Sequence, residues 1–151
     1  MEFTEHTIRE VRVNYDAERT VWVETFTDAH GITLFLRSVI PDNSREHLVA
    51  LYLDAAHKPI GYSIVSSGIA NASHAHPREV YQRAVLLGAV AVVIAHNHPS
   101  DDTEPSKDDF QATRRIADAG SILGIKLLDS IIFTNRAYRS LRAENPELFT
   151  K

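Results

Sequence analysis

The chain has 151 residues, 44% of them hydrophobic, with sixteen basic and twenty acidic residues, a formal charge of −4 and no cysteine. A domain of this length buries roughly two thirds of the surface its unfolded chain exposes, so a self-sufficient core is expected. The absence of thiols excludes cysteine nucleophiles, thiolate metal sites and disulfide frameworks, and the net charge has the wrong sign for affinity built on phosphate neutralisation.

The opening residues, MEFTEHTIRE, carry no basic or apolar signal region, and no run approaches the roughly 18 apolar residues of a membrane span, so a soluble cytoplasmic protein is expected. One domain is expected over 1–151, with a hairpin and helix in 1–41 and a core in 42–143. Val11, Val13 and Tyr15 alternate with polar residues, DAERT turns the chain, and Val21 and Val23 resume the pattern, which predicts the hairpin. Thr27 or Asp28 can cap a helix carrying Ile32, Leu34, Phe35 and Val39 toward Pro41. EHLVALYLD, from Glu46, reads as a buried central strand, DAAHKP as a turn, and IGYSIVSS as a second strand ending at Gly68.

HPREVYQRAVLLG predicts a helix with Pro77 in its first turn and Gly88 as its stop. The apolar AVAVVIA follows as a strand, then a helix over DDFQATRRIADAGSILG and a last strand, KLLDSIIF. Strands alternating with helices predict a three-layer α/β fold. Arg114 with Arg115, and Arg136 with Arg139 and Arg142, read as solvated helix faces. Binding of nucleic acid finds no support in the charge.

The segment AHNHPSDDTEPSKDD, Ala95 to Asp109, ends the apolar strand with two histidines. Period-two alternation sends His96 and His98 to one face and Asn97 to the other. Pro99 ends regular pairing, and Pro105 leads into a helix whose first turn holds Ser106 and Asp109. Two imidazoles, one carboxylate and a water make the four-coordinate arrangement of catalytic zinc, with a net charge of about +1 that brings bound water to a pKa of roughly 7. The same Ser-x-x-Asp also fits a capping box, in which Asp109 reaches back to an amide instead of to a metal. On that helix Asp109 shares a face with Thr113 and Ile116, which should turn toward the sheet. Asp108 falls with Gln111, Ala112 and Arg115 on a more exposed side.

His-x-His followed by Ser-x-x-Asp resembles the JAMM (MPN+) metalloprotease motif, and HPREVYQRAV, AHNHPS, PSKDD and LLD together resemble the RadC family of bacterial JAB-domain proteins over about Glu46 to Arg139. The resemblance implies a JAB/MPN-type α/β/α sandwich, cytidine-deaminase-like in layout, with a mixed central sheet. It implies one zinc ion per chain held by His96, His98 and Asp109, and Ser106 beside a developing oxyanion. It also implies a glutamate that moves the proton from water to a leaving amine; Glu46 is the candidate by its place before HLVALYLD, and Glu79 competes from a helix start whose dipole already accounts for a carboxylate. The implied activity is hydrolysis of an amide or isopeptide bond in a peptide or protein.

Two further readings follow from the same residues. One is a catalytically silent scaffold that binds protein partners; the other is an accessory factor in DNA repair or mobile-element biology. Relatives usually have glycine where this chain has Asp101 and histidine where it has Ser130, and many carry an N-terminal helix-hairpin-helix domain, which is not expected in these 151 residues. Aspartate tolerates the left-handed backbone that a glycine turn uses. His74 and His76 form a second pair, but no second metal is expected; His6, His30, His47 and His57 are expected to be solvated. Zinc deaminases place a metal similarly but need cysteine ligands, which are lacking.

Overall fold

In the computed structural model, which describes residues 28–68 and 75–150, helix α1 (Ala29–Val39) begins at Asp28, whose side chain accepts the Gly31 amide at 2.8 Å. That bond satisfies one of the donors orphaned at a helix start. The predicted hairpin, His6, Thr27 and His74 lie outside the described residues. Next come β1 (Glu46–Leu53), β2 (Pro59–Gly68), α2 (Pro77–Leu87), β3 (Ala91–Asn97), α3 (Lys107–Leu123), β4 (Lys126–Phe133), β5 (Tyr138–Ser140) and α4 (Leu141–Glu144).

The strands form one mixed sheet in the order β2-β1-β3-β4-β5. Only β3 and β4 run parallel; the other neighbours are antiparallel. A parallel pair needs a crossover, and α3 supplies it. Helices cover both faces of the central strands, which is why β1 and β3 read as continuous apolar runs in place of alternating ones. Leu48, Ala50 and Tyr52 of β1 join Val92 and Ile94 of β3 under α2 and α3, where Val80, Ala84 and Ile116 meet them. Val49, Leu51 and Leu53 join Val93 and Ala95 under Ile32, Phe35 and Leu36 of α1. This is the expected three-layer sandwich, with α1 packed on the sheet as an integral layer.

Several boundaries differ from expectation. Strand β3 begins at Ala91 and runs on through Asn97, because pairing with β4 continues to Asn97↔Phe133 after the purely apolar run has ended. The short β5 and α4 were not anticipated; three residues of strand give too little pattern to read. They place Arg139 on a strand, not on a helix face, where it bridges Glu104 at 3.0 Å and Glu144 at 2.8 Å. His47, expected in solvent, is 2% exposed within β1, its Nδ1 2.7 Å from the Ser67 hydroxyl.

Candidate metal centre

The site is assembled where β3 ends and α3 begins. His96 projects from the last turn of the ladder, on the face covered by α2 and α3, because it pairs with Leu48, a residue of that same core. His98 lies just beyond the strand, its amide bonded to the Phe133 carbonyl at 2.9 Å. The two imidazoles meet as the spacing predicts, with Nε2 atoms 3.0 Å apart. Asp109 joins them from the first turn of α3, its Oδ1 3.2 Å from His96 Nε2. In a tetrahedral zinc site bonds of about 2.0–2.1 Å put neighbouring ligand atoms about 3.3 Å apart; here the third separation, His98 Nε2 to Asp109 Oδ2, is 4.0 Å. One atom from each of His96, His98 and Asp109 falls within 4.8 Å of the others, so the group can hold a metal ion.

Hydrogen bonds around the triad fit that use. His98 Nδ1 lies 2.7 Å from the Asp102 carbonyl, and a carbonyl only accepts, so Nδ1 carries the hydrogen and the neutral ring presents a bare lone pair at Nε2. Outer partners of this kind fix tautomer and ring orientation in metal-binding histidines. The carboxylate of Asp109 is divided. Its Oδ2 accepts from the Ser106 amide at 2.7 Å and the Ser106 hydroxyl at 2.7 Å, while Ser106 Oγ accepts the Asp109 amide at 3.1 Å. The capping box is therefore fully formed, Oδ1 is left facing His96, and Oδ2 lies 4.0 Å from His98 Nε2. Cap and ligand are both available because a carboxylate has two oxygens.

Burial opposes the charge on Asp109, but hydrogen bonds from His96 and Ser106 outweigh it and hold the carboxyl well below the ordinary range. Asp109 is only 4% exposed. Thr113 and Ile116 are buried on the same helix face, as expected. Ala112, expected on the exposed side with Asp108, is buried too, since α3 packs against both α2 and the sheet.

Glu46, His98, Ser100, Asp102, Glu104, Ser106 and Asp109 line a cleft of about 230 Å³. Glu46 thus shares the cleft with His98 and Asp109 of the triad, whereas Glu79 sits in the first turn of α2 and is not among the lining residues. The Ser106 hydroxyl points its hydrogen at Asp109 in this arrangement, so its immediate effect is to orient that carboxylate. His76 caps α2, its Nδ1 accepting the Arg78 amide at 3.1 Å, and takes no part in the triad. Asp101 adopts a φ of 63°, the left-handed turn expected of it. Ser130 is buried against α3, where Thr113 donates to its hydroxyl at 3.0 Å. Two contributors went unread in the sequence. The Asp102 carbonyl acts through the backbone, which leaves no mark on residue type. Asn97, fully buried behind the histidines, could have been noticed as an amide in an apolar strand that needs partners.

Residues 26–146 match the family model described as the RadC-like JAB domain. A UPF0758 protein of Carboxydothermus hydrogenoformans is 42% identical over 119 residues, 79% of this chain and 53% of the relative. A UPF0758 protein of Trichlorobacter lovleyi is 42% identical over 126 residues, 83% of this chain and 55% of the relative. The chain spans about half the length of the curated relatives it matches. With the family model covering most of its length and the histidine–aspartate triad at the end of its central strand, the chain belongs to the RadC-like JAB domain family.

Proposed function

We propose that this protein is a zinc-dependent hydrolase that cleaves an amide or isopeptide bond in a peptide or protein, with His96, His98 and Asp109 holding one ion per chain. The observation that carries the reading is the convergence of three metal donors, two of which, His98 and Asp109, line a cleft together with Glu46. Bound there, zinc supplies Lewis acidity, polarising a carbonyl and acidifying water to a pKa of about 7. Glu46 accepts the proton of the attacking water and returns it to the leaving amine, which is general base followed by general acid catalysis. Ser106 keeps Asp109 oriented through its amide, and its hydroxyl, rotated into the cleft, donates to the oxyanion. The His98–Asp102 bond holds the imidazole so that no reorganisation is needed during the reaction.

No helix among the described residues is long and apolar enough to cross a membrane. With the cysteine-free composition, this supports a cytoplasmic setting. Metal analysis of the purified protein and of His96→Ala is the first test, followed by a screen of peptides and isopeptides with and without chelator. Zinc near one per chain, lost in His96→Ala, together with chelator-sensitive cleavage, supports the hydrolase. Glu46→Gln should then retain zinc and lose on the order of a hundredfold in rate. Equal metal in wild type and His96→Ala removes the site, and zinc binding without any cleavage favours the scaffold reading.

A further inference from the structure

Strand β3 keeps its neighbours unequally. It stays paired with β4 through Asn97↔Phe133, but its backbone pairing with β1 ends at Leu48↔His96. Glu46 and His47, the first residues of β1, are therefore held to Gly68 and Ser67 of β2 on one side but have no backbone ladder to β3 on the other. Continued by two residues on each strand, the antiparallel register sets Glu46 opposite His98 and on the face shared by Leu48 and His96.

Alternation turns Asn97 to the opposite face, where its side chain takes over from the missing ladder. Its Oδ1 accepts the His47 amide at 2.8 Å. Its Nδ2 donates to the Arg45 carbonyl at 3.0 Å and to Asn43 Oδ1 at 2.8 Å. The bonds to Arg45 and His47 grip the backbone on both sides of Glu46, and Asn97 itself is 0% exposed. We propose that Asn97 is a positioning residue that fixes Glu46 across the cleft from His98, acting from behind the sheet where it occupies no space in the site.

The residue type follows from the bonds. A carboxamide offers an acceptor and two donor hydrogens on one rigid plane. Aspartate lacks the donors, leucine lacks both, and serine is too short to reach either side of Glu46. A group that moves protons must stay within hydrogen-bond reach of the water it serves, and small displacements there cost rate steeply. The proposal rests on the proton-transfer role of Glu46 for its functional meaning. The structural clamp stands apart from that role.

Amide hydrogen exchange and cobalt(II) pseudocontact shifts test it on wild type, Asn97→Ala and Asn97→Asp. In Asn97→Ala the His47 amide should exchange about tenfold faster while amides in the middle of β1 and β3 keep their protection. Asn97→Asp retains the acceptor for His47 but loses both donors, so His47 stays protected. With cobalt bound at the triad, the shifts of Arg45 to His47 should change in both variants, while those of Phe110 to Thr113 stay as in wild type. Unaltered shifts at 45–47 in both variants overturn the proposal. Exchange that accelerates equally throughout β1 and β3 also overturns it, because Asn97 is then a general core residue. If cobalt fails to bind the wild type, the hydrolase reading falls by itself, and local against uniform acceleration of exchange still decides the clamp.

Discussion

Replacing Asp109 by asparagine keeps shape and volume and removes one charge. The two carboxylate oxygens have different nearest partners, His96 at Oδ1 and Ser106 at Oδ2, with His98 4.0 Å from Oδ2, so the consequences largely separate as well. In Asp109→Asn the carboxamide oxygen can still accept from the Ser106 amide and hydroxyl, which now bond to Oδ2. The helix cap then survives, and the metal-free variant should lose no more than about 1 kcal/mol. At that orientation the amide nitrogen faces His96, where Oδ1 now lies at 3.2 Å. An amide nitrogen has no lone pair to offer a metal. Turning the group over presents an oxygen to the site but sets two donors of Ser106 against an NH₂, so either orientation fails at one end. Zinc affinity should fall by on the order of a hundredfold or more, which is about 2.7 kcal/mol. Asp108→Asn is the control, because that residue is only half-buried in the same turn. It should keep wild-type zinc affinity and lose roughly 0.3–1 kcal/mol of helix-dipole stabilisation. Zinc titration by competition with a chromophoric chelator, paired with thermal melts of the metal-free proteins, measures both quantities. Wild-type affinity in Asp109→Asn refutes the reasoning, as does an equal fall in the two variants.

The remaining predictions concern stability. Gly120→Ala should destabilise by about 1–3 kcal/mol despite better helix propensity, because a Cβ there collides with the Tyr81 hydroxyl and the Ile125 carbonyl; a melt no lower than wild type contradicts the close approach of α2 and α3. Burial pushes the Asp129 carboxyl up, against hydrogen bonds from Ser140, Arg142 and Ser130. The folded state therefore binds this proton more tightly than the unfolded one, and wild type should lose stability relative to Asp129→Asn as pH rises from the ordinary value of 3.8 through the raised one. Urea midpoints of the pair across pH 3 to 7 read this, and a difference that does not change, or changes the other way, defeats it. Asp101→Gly should stabilise by about 0.5–1 kcal/mol by relieving a left-handed backbone. The lost contact to Arg136, 3.6 Å at an exposed surface, offsets little of that gain; a lower melting temperature would show that the loop depends on that pair.

Patterns with a fixed period or a steric requirement were legible in the sequence. The apolar runs of β1, β3 and β4 mark strands covered on both faces, and Gly88 marks the end of α2 by its left-handed backbone. His96 and His98 converge because the chain stays beside β4 one residue past the end of β3, where the His98 amide bonds to Phe133, and side chains two apart on extended chain share a face; Asp109 meets them because its helix starts one short loop later. What tertiary structure alone decided depends on neighbours distant in the chain. Glu46 and Glu79 each sit plausibly at the start of an element, and only the pairing of β1 beside β3 puts Glu46 in the cleft. His47 is buried because β2 and β3 flank it, and Arg139 finds Glu104 because the short β5 returns alongside β4. Asn97 was legible as a residue turned away from the histidines. The amides and carbonyls it grips are some fifty positions earlier, and hydrogen-bond partners are chosen by distance in space, which residue type and local spacing do not encode.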